Sequence, residues 1–196
     1  MFWGVQTNYL TLFRIIPDAA PSTSTARSGN RKFQVMVKVL FICLGNICRS
    51  PLAEAILNHK VREKGLEGKI KSDSCGTSDY HIGECPDERT LDCAKKRGIL
   101  INHRGRQINR LDLKDFDYLI VMDRSNLKNV KDLLRSHKLS HTRLHLIREF
   151  QSDAAHDDVP DPYYGEADGF EEVYDILEES VENFLNKILE DHKIHV

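Results

Sequence analysis

The seven residues VKVLFIC at Val37–Cys43 are a β-rich apolar run that passes straight into LGNICRS and then into a helix-forming stretch. A buried strand feeding a tight turn and a helix is the opening unit of an open α/β sheet, and ligands of such sheets collect at the carboxyl ends of the strands. The same alternation continues downstream. A helix is expected at 50–64, with Pro51 in its first turn, where a missing N–H costs nothing. A second strand is expected at 70–75, and then a helix from Pro86 to Arg97 stopped by Gly98. YLIVM at 118–122 reads as a third strand, 124–134 as a helix and 144–147 as a fourth strand. From 169 to 191, Phe170, Val173, Leu177, Val181, Phe184, Leu185 and Ile188 recur at helical spacing and mark a core-facing helix. The expectation is one doubly wound domain, 36–196, with about four parallel strands between two helical layers in a three-layer α/β/α, Rossmann-like arrangement.

Residues 1–35 have a different composition. Arg14, Arg27, Arg31 and Lys32 face the single acid Asp18, a net +3, whereas the remainder carries 24 basic and 29 acidic residues, a net −5. Ala, Ser and Thr crowd Pro17 to Asn30, and Pro21 and Gly29 interrupt them. Three readings stand side by side: a disordered leader, a cleavable transit peptide for an organelle, or a segment upstream of a true start at Met36. The net charge of −2 over 196 residues gives no electrostatic case for nucleic acid, and no apolar run approaches a membrane span. The five cysteines, Cys43, Cys48, Cys75, Cys85 and Cys93, are odd in number and lack C-x2-C spacing. Reduced thiols in the cytoplasm are expected, with no structural metal.

The turn after the first strand carries the chemistry. Cys43-Leu44-Gly45-Asn46-Ile47-Cys48-Arg49-Ser50 has the form C-x5-R-S. A loop of this length can curl round a tetrahedral anion with its N–H groups inward, and the following helix adds its positive end. Gly45 and Asn46 accept the positive φ such a loop demands. Arg49 can hold two phosphate oxygens with its planar fork. The field that binds phosphate also favours Cys43 as a thiolate nucleophile, with the Ser50 hydroxyl in support. A bare C-x5-R arises readily by chance; its placement between a buried strand and a helix gives it meaning. No Gly-Lys-Ser/Thr follows, which disfavours a nucleotide P-loop. Ester cleavage also needs an acid, and Asp161 in DPYYG is the candidate, displayed by Pro162 beside Tyr163 and Tyr164. Read alone, that segment is equally a plain surface turn.

VLFICLGNICRSPLAEAI with DPYYG closely resembles the low-molecular-weight protein tyrosine phosphatases, and the resemblance covers about Met36 to the C-terminus. DSCGTSDYHIG, INHRGRQI and VMDRSNL fit the same pattern. The resemblance implies hydrolysis of phosphotyrosine, and of small aryl phosphates, through a phosphocysteine on Cys43. Leu44 to Ser50 would bind the phosphate, and Asp161 would act as acid and then base. Asn46, Ser50, Ser74 and His103 would support the loop, with Asp123 nearby. Ile47, Tyr80, Tyr163 and Tyr164 would wall the substrate slot, and Cys43 and Cys48 could pair under oxidant. Neither cofactor nor metal is implied. The partner would be a phosphotyrosine protein, and the chain a monomer or weak dimer. Two related chemistries compare less well. Arginine phosphatases of this family tend to carry Thr where Ile47 stands, and arsenate reductases need cysteines downstream, whereas none follows Cys93. A non-catalytic phosphotyrosine-binding module that kept the anion pocket would have lost the nucleophile or the acid, and Cys43, Arg49 and Asp161 are all present.

Overall fold

The computed structural model describes residues 36–141, 143–151, 158–165 and 168–196. The leader expected at 1–35 lies outside the described residues. Five of the seven side chains on either side of the first strand's backbone are consecutive and buried, as a strand covered on both faces requires. This strand, β1 (Val37–Cys43), pairs in parallel with β2 (Ile70–Gly76) on one side and with β3 (Tyr118–Val121) on the other. β4 (Leu144–Leu146) adds to β3, giving the order β2-β1-β3-β4. The chain leaves β1 in one direction and returns on its other side, so a crevice opens at the carboxyl ends of β1 and β3. Cys43 ends β1, Gly76 opposite it ends β2, and Asp123 follows β3 by two residues.

Helices cover both faces. α1 (Arg49–Glu63), α2 (Glu88–Lys96) and α5 (Asp168–Asp191) build the larger core on Val39, Phe41 and Ile120. All seven residues of the predicted α5 stripe are buried. Phe184 meets the rings of Phe41 and Tyr118 edge-on at 6.3 and 5.4 Å, a favoured aromatic geometry. α3 (Asp112–Asp115) and α4 (Arg124–Ser136) close the other face over Leu40, Ile42, Leu119 and Val121. The three-layer α/β/α architecture of four parallel strands is therefore as the sequence implies.

Element ends differ by a residue or two. The helix expected from Pro86 starts at Glu88, because Asp87 caps it by accepting the Arg89 N–H. Ile147 leaves the fourth strand to open a 3-10 turn. The one-turn α3 has no sequence signal, since its four residues cannot show a periodicity.

Candidate active site

The segment after β1 folds back on its own leading sulfur. The Asn46 N–H donates to Cys43 Sγ at 3.1 Å, and Ser50 Oγ lies 3.0 Å from the same atom. The loop's carbonyls are drawn outward. Cys43 O accepts from Thr77 N at 2.9 Å, Leu44 O from Ser78 N at 3.0 Å, and Ile47 O from Asp87 N at 2.9 Å. In a trans peptide the next N–H points opposite its carbonyl, so the amides of Leu44, Gly45 and Cys48 turn towards the loop centre. A ring of inward amides beside a sulfur can hold an oxyanion and stabilise a thiolate together.

Asn46 holds this shape. Its φ is +59°, the left-handed region. Its side-chain NH₂ donates to Ser50 Oγ at 2.9 Å and Ser74 Oγ at 3.0 Å, and its Oδ1 accepts from His103 Nε2 at 2.8 Å and the Arg106 N–H at 2.9 Å. Ser74 passes its own hydroxyl to Glu54 Oε2 at 2.8 Å, which also faces His103 Nδ1 at 3.2 Å. The positive φ expected at both Gly45 and Asn46 falls on Asn46 alone within the loop. Gly45 is small for another reason: a Cβ there would meet the His81 ring at 3.0 Å. Asn46→Ala removes four hydrogen bonds in a fully buried setting. It is expected to cost about 2 kcal/mol or more in thermal unfolding, since each stranded partner costs about 1–3 kcal/mol. Turnover should fall by about 10²-fold through loss of loop geometry; steady-state kinetics and a thermal melt check both.

Arg49 begins α1 and is 3% exposed. Its Nη1 donates to Asp123 Oδ2 at 2.7 Å and Val159 O at 3.1 Å, and its Nη2 to Asp161 Oδ2 at 2.7 Å. Burial works against its charge, but Cys43, Asp161 and Asp123 together outweigh burial and raise its pKa. Asp123 does two jobs at once, because its other oxygen caps α4 by accepting Asn126 N. Asp161 precedes a 3-10 turn, Pro162–Tyr164, and is half-exposed at the cleft.

The cleft above the loop is lined by Cys43 to Arg49, Tyr80, His81, Asp161, Tyr163 and Tyr164. Tyr80 and Tyr164 stand at its rim, 72% and 91% exposed, while Ile47 is buried in its wall. His81 was not singled out from sequence. It packs near Tyr163, ring centroids 6.1 Å apart, and its Nδ1 lies 2.7 Å from Glu84 Oε2. Cys48 shares the cleft, but burial and then the Asp87 carboxylate push its thiol up to about 12. Burial also raises Cys75, and it lifts Cys93 to about 11 with help from Glu171. Among the five free cysteines, Cys43 is the one received by an amide and a hydroxyl at the centre of the loop.

A thiol ringed by amides and faced by a buried arginine, at the crevice of a parallel sheet, is the layout of a cysteine-dependent phosphatase. Residues 38–194 match the family described as low molecular weight phosphotyrosine protein phosphatase, and the chain belongs to it. The low molecular weight phosphotyrosine protein phosphatase of Schizosaccharomyces pombe is 44% identical over 153 residues, 78% of this chain and 97% of that protein. The crystal structure of YfkJ from Bacillus subtilis is 41% identical with a TM-score of 0.74, covering 80% of this chain and 97% of that one. The Drosophila arginine phosphatase structure is 36% identical with a TM-score of 0.72, covering 78% and 98%.

Proposed function

We propose that the chain hydrolyses phosphotyrosine monoesters in proteins, and small aryl phosphates, through a phosphocysteine on Cys43. The observation that carries this reading is the placement of Cys43 Sγ among the loop amides, with Arg49 and Asp161 joined at 2.7 Å over the same cleft. The inward amides and the Arg49 fork would hold the non-bridging oxygens. The Cys43 thiolate attacks phosphorus as the bond to the tyrosyl oxygen breaks, and Asp161 gives that oxygen its proton. Asp161 then takes a proton from the water that attacks phosphorus as the P–S bond breaks. Inorganic phosphate leaves, and Cys43 returns as a thiolate received by Asn46 N–H and Ser50 O–H.

The Arg49–Asp161 pair ties the acid to the residue that grips phosphate. Without substrate, the Asp161 carboxylate is bound to Arg49. An arriving phosphate competes for the same guanidinium, which frees the Asp161 side chain for the leaving-group oxygen. Asp161→Asn should therefore cost about 10²-fold or more in kcat/KM for substrates with a poor leaving group. The loss should be far smaller for 4-nitrophenyl phosphate, whose leaving group needs no proton. Equal losses on both would remove Asp161 from the acid role.

Phosphotyrosine is favoured over phosphoserine by reach, because the phosphate site lies at the floor of a cleft walled by Ile47, Tyr163 and His81. A second reading, phosphoarginine, has the Drosophila structure in its favour. Ile47 and the paired tyrosines weigh against it. Assaying phosphotyrosine, phosphoarginine and arsenate side by side separates these chemistries. Five free cysteines among the described residues suit a reducing, cytoplasmic setting, and no described helix is long and apolar enough to cross a membrane.

A further inference from the structure

Asp161 must stay over the cleft at the moment its bond to Arg49 is given up to phosphate. Little burial holds it there. In the 3-10 turn only Pro162 is buried, while Tyr163 is 39% and Tyr164 91% exposed. Two bonds are internal to the turn, from Tyr163 N to Asp161 Oδ1 and from Gly165 N to Pro162 O. Among the described residues, hydrogen bonds from elsewhere reach 161–165 from two side chains. One is Arg49. The other is Arg89, whose Nη2 donates to Tyr163 O at 3.2 Å and whose Nη1 lies 3.5 Å from Gly165 O.

Arg89 is itself preset for this task. Its Nε and Nη2 grip the two oxygens of Asp87 at 3.0 and 2.9 Å, and its guanidinium lies 4.4 Å above the Phe170 ring at the start of α5. The fork holds the Asp87 carboxyl below its usual range. A guanidinium fixed by a bidentate carboxylate and an aromatic face has little freedom left to lose when it binds a loop. Asp87 also reaches the phosphate loop, since its N–H donates to Ile47 O at 2.9 Å. The path from the phosphate loop to the acid turn thus runs Ile47, Asp87, Arg89, Tyr163, with a hydrogen bond at each join.

We infer that Arg89 is the positioning residue for the general acid: it clamps the Asp161 turn to the phosphate loop while Arg49 is occupied by phosphate. The inference rests on the acid role given to Asp161 above. It makes Arg89 important for protonating the leaving group and unimportant for holding phosphate, a division that a merely structural arginine would not produce.

The test measures kcat/KM of the full chain over aryl phosphates from 4-nitrophenyl to phenyl phosphate, with inorganic phosphate as inhibitor. Arg89→Met keeps an apolar stem on Phe170 and removes the fork; Arg89→Lys keeps the charge without it. Arg89→Met should lose about tenfold more on phenyl than on 4-nitrophenyl phosphate, with phosphate inhibition within about twofold of wild type. Arg89→Lys should fall between. A uniform loss across leaving groups, or none, overturns the clamp if Asp161→Asn in the same assay keeps its steep dependence. A flat Asp161→Asn profile instead sinks the acid assignment and the clamp with it. Should Arg89→Met fail to fold, the slope of Arg89→Lys decides in the same way.

Discussion

Cys43→Ser is expected to abolish turnover, by about 10⁴-fold or more, while the protein still binds inorganic phosphate. The substitution changes one atom in a loop whose hydrogen bonds come from other residues. Asn46 N–H and Ser50 Oγ would meet the new oxygen as they meet the sulfur. What changes is ionisation. An alcohol gives up its proton far less readily than a thiol, and one amide and one hydroxyl cannot make up that difference. Binding relies on the amides turned inward by Thr77, Ser78 and Asp87, together with Arg49, and these remain. Phosphate protection against thermal unfolding would measure the binding, and 4-nitrophenyl phosphate the turnover. A serine variant that still turns over would end the covalent account.

Arg49→Lys should be nearly as damaging, lowering kcat/KM by about 10³-fold although the charge is kept. The reason is the number of directions in which Arg49 donates. Nη1 serves Asp123 and the Val159 carbonyl while Nη2 serves Asp161. Gripping a phosphate from a site framed by Asp123, Val159 and Asp161 takes donors that leave one group in several directions in a plane. A lysine ammonium is a single point and cannot span these positions in the plane of a guanidinium. Inhibition by inorganic phosphate should weaken along with turnover, which sets this variant apart from Arg89→Met. A lysine variant within about tenfold of wild type would show that charge alone suffices and that the fork's geometry is not used.

What could be read from the chain before its fold was known follows how local each feature is. The nucleophile loop lies within eight residues between a strand and a helix, so its chemistry is written in consecutive letters. The α5 stripe is legible for a similar reason, because one helix face repeats over 24 residues. His103 and Ser74 depended on likeness to a family, since nothing in their own surroundings says that both reach Asn46, 57 and 28 residues away. Glu54, His81 and Arg89 carry no signal in the sequence. Each is a common surface residue type, and each acquires its place through a partner brought by the sheet's crossovers: Ser74 for Glu54, Tyr163 for His81 and Arg89 alike. Gly45 was legible as a special position but for the wrong reason. Its small size makes room for His81, a contact between the loop after β1 and the segment after β2 that no pattern within the loop could reveal.

The most direct trial of the covalent account is to catch the phosphorylated protein. Mixing the enzyme with excess 4-nitrophenyl phosphate, stopping the reaction in acid within milliseconds and digesting it would yield peptides for mass spectrometry. The Cys43 peptide should carry one phosphoryl group on sulfur, and nitrophenolate should be released in a burst of about one equivalent per active site. Steady release with no burst, alongside an unmodified Cys43 peptide, would contradict it.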